Sequence, residues 1–75
     1  MQRYGAAGGQ SGITAFEIKS DSITIEFRHD GIYRYDGTKP GPLHVGEMQR
    51  LARMGKGLNT YINKYVKHNF AEKLS

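Results

Sequence analysis

Three short segments in the first half of the chain alternate apolar and polar residues, with the period of two that half-buried β-strands show. In TAFEIKS, Phe16 and Ile18 alternate with charged residues; SITIEFR repeats this alternation, and IYRYD carries two tyrosines around Arg34. Ser20–Asp21 and His29–Gly31 supply the turn residues between these segments. The pattern therefore predicts a three-stranded antiparallel meander.

The length of the second turn decides which face of this sheet carries Tyr33 and Tyr35. A three-residue loop with Gly31 in the left-handed conformation places Phe27 opposite Tyr33, and both tyrosines then lie on the core face. A two-residue loop of Asp30 and Gly31 moves both tyrosines to the outer face, where their rings could stack on bases. The first register is favoured because it keeps the large apolar side chains together.

Helical spacing replaces the alternation after the Gly- and Pro-containing break Gly37–Pro42. Pro42 suits the first position of a helix, and Gly55 suits its end. A second helix is predicted from about Asn59, with an apolar stripe that we expect to lie in the core: Leu58, Tyr61, Ile62, Tyr65, Val66 and Phe70. The expected fold class is α+β, a three-stranded antiparallel β-meander followed by two C-terminal helices packed on one sheet face.

Residues 1–12 form a Gly-rich N-terminal segment, set apart from a single predicted domain over residues 13–75. Four glycines fall within the eight residues of Gly5–Gly12, which leaves the backbone too free for a helix. One interpretation is a frayed tail. The other is an ordered loop whose backbone N–H groups face an anion, with loop contacts from Gly9, Ser11 and Gly12.

The size and composition of the chain narrow the classes of protein it can belong to. A chain of 75 residues holds one small domain, and its limited core leaves homo-oligomerisation open. Cysteine is absent, which excludes disulfides and thiolate chemistry. No apolar run approaches the ~18 residues of a membrane span, and the first residues lack a signal-peptide pattern. We therefore expect a cytoplasmic protein without a membrane partner.

The residue types that usually carry catalysis lack their usual spacing. His29, His44 and His68 show no metal-ligand pattern, and we expect each to be solvated. Ser11 lacks the second glycine of the nucleophile motif G-x-S-x-G, and Gly55–Gly57 lacks the remainder of a phosphate loop. The sequence therefore predicts no catalytic residue, metal site or cofactor, and a protein that is not an enzyme.

The positive charge is concentrated in the second half of the chain. Residues 1–38 carry four Lys and Arg against five Asp and Glu, whereas residues 39–75 carry seven against two. A basic helix–turn–helix face of this kind suits phosphate groups, although it can also be an ordinary solvated surface. The candidate nucleic-acid or anion-binding residues are Arg50, Arg53, Lys56, Asn59, Asn63, Lys64 and Lys67. Backbone amides at the exposed start of the second helix would add to the positive field.

The order of several segments resembles a known family. Tyr33–Tyr35 follows a strand ending in Ile25–Phe27, and after a Pro-containing break and a short helix comes the Gly-x-Gly-Leu-Asn…Ile-Asn segment, Gly55–Asn63. This order is similar to the KTSC domain, and more so to small stand-alone bacterial proteins with a Gly-Gly-x-Ser-Gly start, here Gly8–Gly12. The likeness covers Gly8 to about Ala71. The helix turn Met54-Gly55-Lys56-Gly57 departs from the usual Ser/Lys/Gly form, and His29-Asp30-Gly31 replaces the more usual Asn/Ser-Gly turn.

The resemblance implies a β-meander with C-terminal helices and no established activity. RNA binding has been suggested for such domains mainly because some of them are fused to lysyl-tRNA synthetases. Together with the charge pattern, it favours a non-catalytic module that binds an anionic partner, most plausibly RNA. The alternatives are a homo-oligomeric protein-interaction module and a binder of a small phosphate-bearing nucleotide.

Overall fold

A computed structural model describes residues 1–5 and 12–75 of the chain. Its elements, in chain order, are β1 (Gln2–Arg3), β2 (Ile13–Lys19), β3 (Ser22–Phe27), β4 (Gly31–Asp36), α1 (Pro42–Met54), α2 (Leu58–Tyr61), a π-helical turn (Ile62–Val66) and β5 (Glu72–Lys73). The predicted class, an α+β fold with an antiparallel sheet and two C-terminal helices, is confirmed.

Within residues 1–5 and 12–75 the sheet has five strands in the order β1-β2-β3-β4-β5 rather than the three that the sequence predicts. The additional strands β1 and β5 are two residues long and lie at the two edges. Segments this short carry no readable periodicity, which is why the pattern misses them. Because β1 pairs with β2 across the predicted boundary at residue 12, the sheet contains residues from both sides of that boundary.

The three central strands form two hairpins whose registers fix the faces of the sheet. Lys19 pairs with Ser22 around the predicted turn at Ser20–Asp21. In the second hairpin Phe27 lies opposite Gly31, so Tyr33 lies opposite Ile25 rather than opposite Phe27. The loop has three residues, as favoured, but it begins at Arg28, which slips the pairing by two positions. A shift of two residues keeps each side chain on the same face of the sheet, so Tyr33 and Tyr35 still point into the core.

The end of β4 is held by a small polar network. Arg34 donates from Nη1 to Asp36 over 2.6 Å and from Nη2 to Glu72 of β5 over 3.0 Å. The other oxygen of Asp36 accepts the backbone N–H groups of Thr38 and Lys39 at 2.9 and 3.1 Å. These backbone hydrogen bonds, followed by the Arg34 guanidinium, lower the pKa of Asp36. The network therefore favours the ionised carboxylate.

Helix α1 covers the core face of the sheet and lies against β3 and β4. It begins with Pro42 and closes on Gly55, which has the left-handed φ of 80°, as the sequence predicts. The amide of Gln49 donates to the backbone carbonyls of Lys19 and Ser22, both at 2.9 Å, and ties α1 to the first hairpin. The buried cluster beneath the helices joins both layers: Tyr4, Ile13, Phe16, Ile23, Ile25, Tyr33, Tyr35, Val45, Met48, Ala52, Leu58, Ile62 and Val66.

The second helix differs from the prediction in its second half. After α2 the chain continues as a π-helical turn and ends at Lys67, a non-glycine residue with a φ of 55°. A π turn holds more residues than an α turn, so the apolar stripe drifts around the axis. Tyr65, predicted to be core, is consequently 59% exposed. Phe70 lies beyond the helix but still packs edge-on against Tyr33, with 4.7 Å between ring centroids.

Candidate nucleic-acid interface

The region from the end of α1 to the start of β5 is rich in cations that lack acidic neighbours in sequence. Residues 51–71 contain no Asp or Glu, and their four Lys and Arg residues equal the +4 net charge of the whole chain. All four are exposed: Arg53, Lys56, Lys64 and Lys67. We call these four residues the basic segment. Within the described residues, none of the four makes an ion pair with a carboxylate.

Arg50 differs from the basic segment because it already has an acidic partner. Its Nε and Nη2 atoms donate to the two carboxylate oxygens of Glu47 at 3.0 and 2.5 Å, and Nη1 contacts the Met54 sulfur at 3.1 Å. The pairing lowers the pKa of Glu47 and raises the pKa of Arg50. A phosphate must therefore compete with Glu47 for Arg50. Exposed ion pairs of this kind are weak, so the exchange is cheap.

The start of α2 does not offer all of its amides to a ligand, contrary to the prediction. The backbone N–H of Leu58 donates to the Tyr4 hydroxyl at 3.0 Å, and this hydrogen bond is buried. Tyr4 is 5% exposed and packs edge-on against Phe16, with 6.3 Å between ring centroids. A residue from the segment interpreted as a possible tail thus satisfies the first amide of α2 and stabilises the helix start.

Gly5 and Gly12 lie against the turn between the helices and the start of α2. Gly5 approaches Gly55 so closely that a Cβ on Gly5 would stand 3.2 Å from the Gly55 carbonyl oxygen. At the other end, a Cβ on Gly12 would stand 3.5 Å from Nδ2 of Asn59. Asn59 is half-buried beside Gly12, whereas Asn63 is exposed. The predicted loop contacts Gly9 and Ser11 fall outside the described residues.

Tyr33 and Tyr35 do not form a stacking surface, contrary to the possibility raised by the two-residue loop. They are 8% and 2% exposed, because the observed register holds both on the core face. Tyr33 is enclosed by Phe27, Phe70 and the Lys73 side chain, whose Nζ lies 5.6 Å from the ring centroid. Burial raises the pKa of the Tyr35 hydroxyl well above its usual value. Neither ring face is available to a base.

The helices carry aromatic rings that are at least partly accessible. Nδ1 of His44 in α1 is 2.7 Å from the Tyr61 hydroxyl, with 5.8 Å between the ring centroids. The Tyr65 ring follows with its centroid 5.0 Å from that of Tyr61. We call these three residues the aromatic cluster. Partial burial, and then the charge of Glu47, raises the pKa of the Tyr61 hydroxyl, which keeps its proton. His44 is thus hydrogen-bonded and half-buried, not simply solvated as expected.

Sequence reasoning misses the aromatic cluster because it assigns Tyr61 and Tyr65 to the core. A signal for it does exist, since the two tyrosines are spaced i, i+4 and Lys64 directly precedes the second. In the structure Nζ of Lys64 lies 5.9 Å from the Tyr65 ring centroid. The cluster therefore adjoins one member of the basic segment.

Other kinds of site find little support in the part of the chain that is described. No group of three or more His, Asp or Glu side chains there is placed to hold a metal ion. None of the helices in residues 1–5 and 12–75 combines the length and apolar character needed to cross a bilayer. No protein-family model matches the chain, and no curated protein or solved structure is significantly similar to it.

Proposed function

We propose that this chain is a KTSC-like, non-catalytic module that binds RNA through the basic segment. Arg53, Lys56, Lys64 and Lys67 contact phosphates, Arg50 joins them when it exchanges Glu47 for a phosphate, and Asn59 and Asn63 orient the strand. The observation that carries the proposal is the run of exposed cations, from the end of α1 to the start of β5, that make no ion pair with a carboxylate among residues 1–5 and 12–75. Elsewhere the charges largely cancel, as at Arg34 between its two carboxylates.

The strength of the salt dependence follows from the number of cations. Each phosphate neutralised on a single strand contributes about −0.7 to the slope of log K against log salt concentration. Four cations therefore give a slope of about −3. Affinity should fall about 50-fold between about 50 and 200 mM salt. A ligand with a single phosphate would show a much shallower slope.

The test measures fluorescence anisotropy of a labelled 12-residue oligouridylate. Arg53→Glu with Lys64→Glu removes two of the four cations, and the matched control reverses Lys19 and Lys39 instead. Each double variant changes the net charge by −4, from +4 to 0. We expect the first variant to lose at least about tenfold in affinity and about half of the salt slope, and the control to lose far less. Equal losses in both variants, or unchanged affinity in the first, would contradict the proposal.

A small phosphate-bearing nucleotide is the second candidate ligand, favoured by the contact of Gly12 with Asn59. There the chain entering β2 meets a half-buried amide beside the helix turn. Gly12→Ala fits without a clash, because its Cβ would make ordinary contact at 3.5 Å. Calorimetric titration with AMP should show weaker binding for Gly12→Ala at unchanged thermal stability. If AMP binds with a salt slope as steep as that expected for four cations, the result supports neither candidate.

Self-association stays a prediction, and the edge strands of the sheet give it little support. The limited core leaves self-association open, and a three-stranded sheet would also have had open edges. The edges of the central strands are instead paired with β1 and β5, which are two residues long and leave little edge for a second copy. Sedimentation velocity over a hundredfold concentration range measures the oligomeric state, and a constant monomer would exclude this alternative.

A further inference from the structure

The aromatic cluster has a feature that an ordinary helix surface lacks, namely an exposed ring that is held in place by half-buried neighbours. Tyr65 is 59% exposed, yet its ring packs against Tyr61, whose hydroxyl is fixed by His44 across the two helices. The π turn, with its wider spacing, presents the ring outward. Tyr65 is therefore a largely pre-oriented aromatic surface.

The surroundings of this ring are cationic. Lys64 keeps its Nζ 5.9 Å from the Tyr65 centroid, and Lys67 follows two residues after the tyrosine. Glu47, whose charge acts on the neighbouring Tyr61, is already paired with Arg50. An aromatic face beside cations complements a nucleotide, whose base stacks while its phosphate binds the cation.

We propose that an unpaired base of an RNA strand stacks on Tyr65 while Lys64 and Lys67 hold the adjacent phosphates. This inference rests on the proposed function and names its substrate class, single-stranded rather than duplex RNA. Paired bases stack on one another and offer no free face to a side chain, so only an unpaired base can use the ring. His44 and Tyr61 act as positioning residues that keep Tyr65 outward.

The basic segment and the Tyr65 ring make separable contributions, and the choice of probe separates them. Oligouridylate carries both bases and phosphates, heparin carries only negative charge, and an RNA duplex carries bases that are already paired. Loss of the ring should weaken only the first complex. Loss of the cations should weaken all three.

The test compares Tyr65→Ala with Tyr65→Phe, which keeps the ring, and with Leu43→Ala, which truncates another exposed apolar side chain. For oligouridylate we expect Tyr65→Ala to lose about 5- to 150-fold in affinity, with wild-type affinity in both controls. Heparin affinity should be unchanged in all three variants. Wild-type protein should also prefer oligouridylate to the duplex.

Each failure has its own signature. If the wild type binds neither RNA nor heparin, the proposed function is wrong. If it binds RNA through the cations but Tyr65→Ala binds oligouridylate as tightly as wild type, only the stacking proposal is overturned. Titration of the wild type followed by NMR needs no variant: oligouridylate should shift the Tyr65 ring protons upfield and heparin should not. Unshifted ring protons at saturation would likewise overturn it.

Discussion

The hydrogen bond from the Leu58 amide to the Tyr4 hydroxyl gives a sharp test of the fold, because one oxygen atom can be removed without changing the ring. Tyr4→Phe keeps the edge-on contact with Phe16 and deletes only the acceptor. Leu58 is fully buried and Tyr4 is 5% exposed, so water has little access to the amide that is left. The variant therefore leaves an unsatisfied donor in the core.

The expected cost follows from that geometry. A buried donor that loses its partner destabilises a protein by about 1–3 kcal/mol. A domain of 75 residues has a total free energy of unfolding of about 4–11 kcal/mol. A loss of 1 kcal/mol lowers the melting temperature by about 4–8 °C in a domain of this size. Tyr4→Phe should therefore melt at least about 4 °C below the wild type.

The assay is urea denaturation followed by circular dichroism, with thermal melting as a second measurement. Tyr65→Phe is the matched control, since it removes an exposed tyrosine hydroxyl and should change stability by less than about 0.5 kcal/mol. If Tyr4→Phe is as stable as this control, the buried hydrogen bond does not hold the start of α2, and the description of that junction is wrong.

Three further substitutions probe other parts of the molecule. Met48→Ala, at a fully buried site, should cost about 2–5 kcal/mol in urea denaturation, whereas Leu43→Ala at an 88% exposed site should cost almost nothing; similar costs would refute the assigned core. Because the pKa of Asp36 is lowered from its ordinary value of 3.8, the ionised carboxylate stabilises the fold above that pH, and this stabilisation is lost as the pH falls and the carboxylate is protonated. Asp36→Asn should therefore flatten the decline of the urea midpoint below about pH 4. An unchanged decline would count against the network. Gly31→Ala, at a φ of 106° and with a Cβ that would clash with the Ser75 backbone oxygen, should destabilise by more than about 1 kcal/mol in thermal melting; a variant as stable as the wild type would contradict this backbone geometry.

Strong periodicity made the central part of the fold predictable. The alternation in β2 to β4 identifies the core face correctly even though the second hairpin pairs two positions away from the expected register. Pro42 and Gly55 mark the ends of α1 because their backbone preferences are local. Such features depend on short-range chemistry, which the sequence displays directly.

The features that the sequence analysis missed depend mainly on tertiary contacts, which local sequence patterns do not show. β1 and β5 exist because the sheet offers them a partner, and Tyr4 is buried because Phe16 and Leu58 receive it. The stripe through Tyr65 assumed an α-helical period that the π turn does not keep. The pairing of Arg50 with Glu47, three residues earlier, could have been inferred from spacing, as could the i, i+4 contact of Tyr61 with Tyr65.

The Tyr4–Leu58 contact also bears on the order in which the molecule assembles. It joins positions 54 residues apart, so forming it requires closing a long loop that local helix formation does not help to close. We therefore expect the start of α2 to become protected late in folding, after the central hairpins have formed. In hydrogen exchange, the Leu58 amide should report the detachment of the first strand, because its proton meets solvent once Tyr4 leaves.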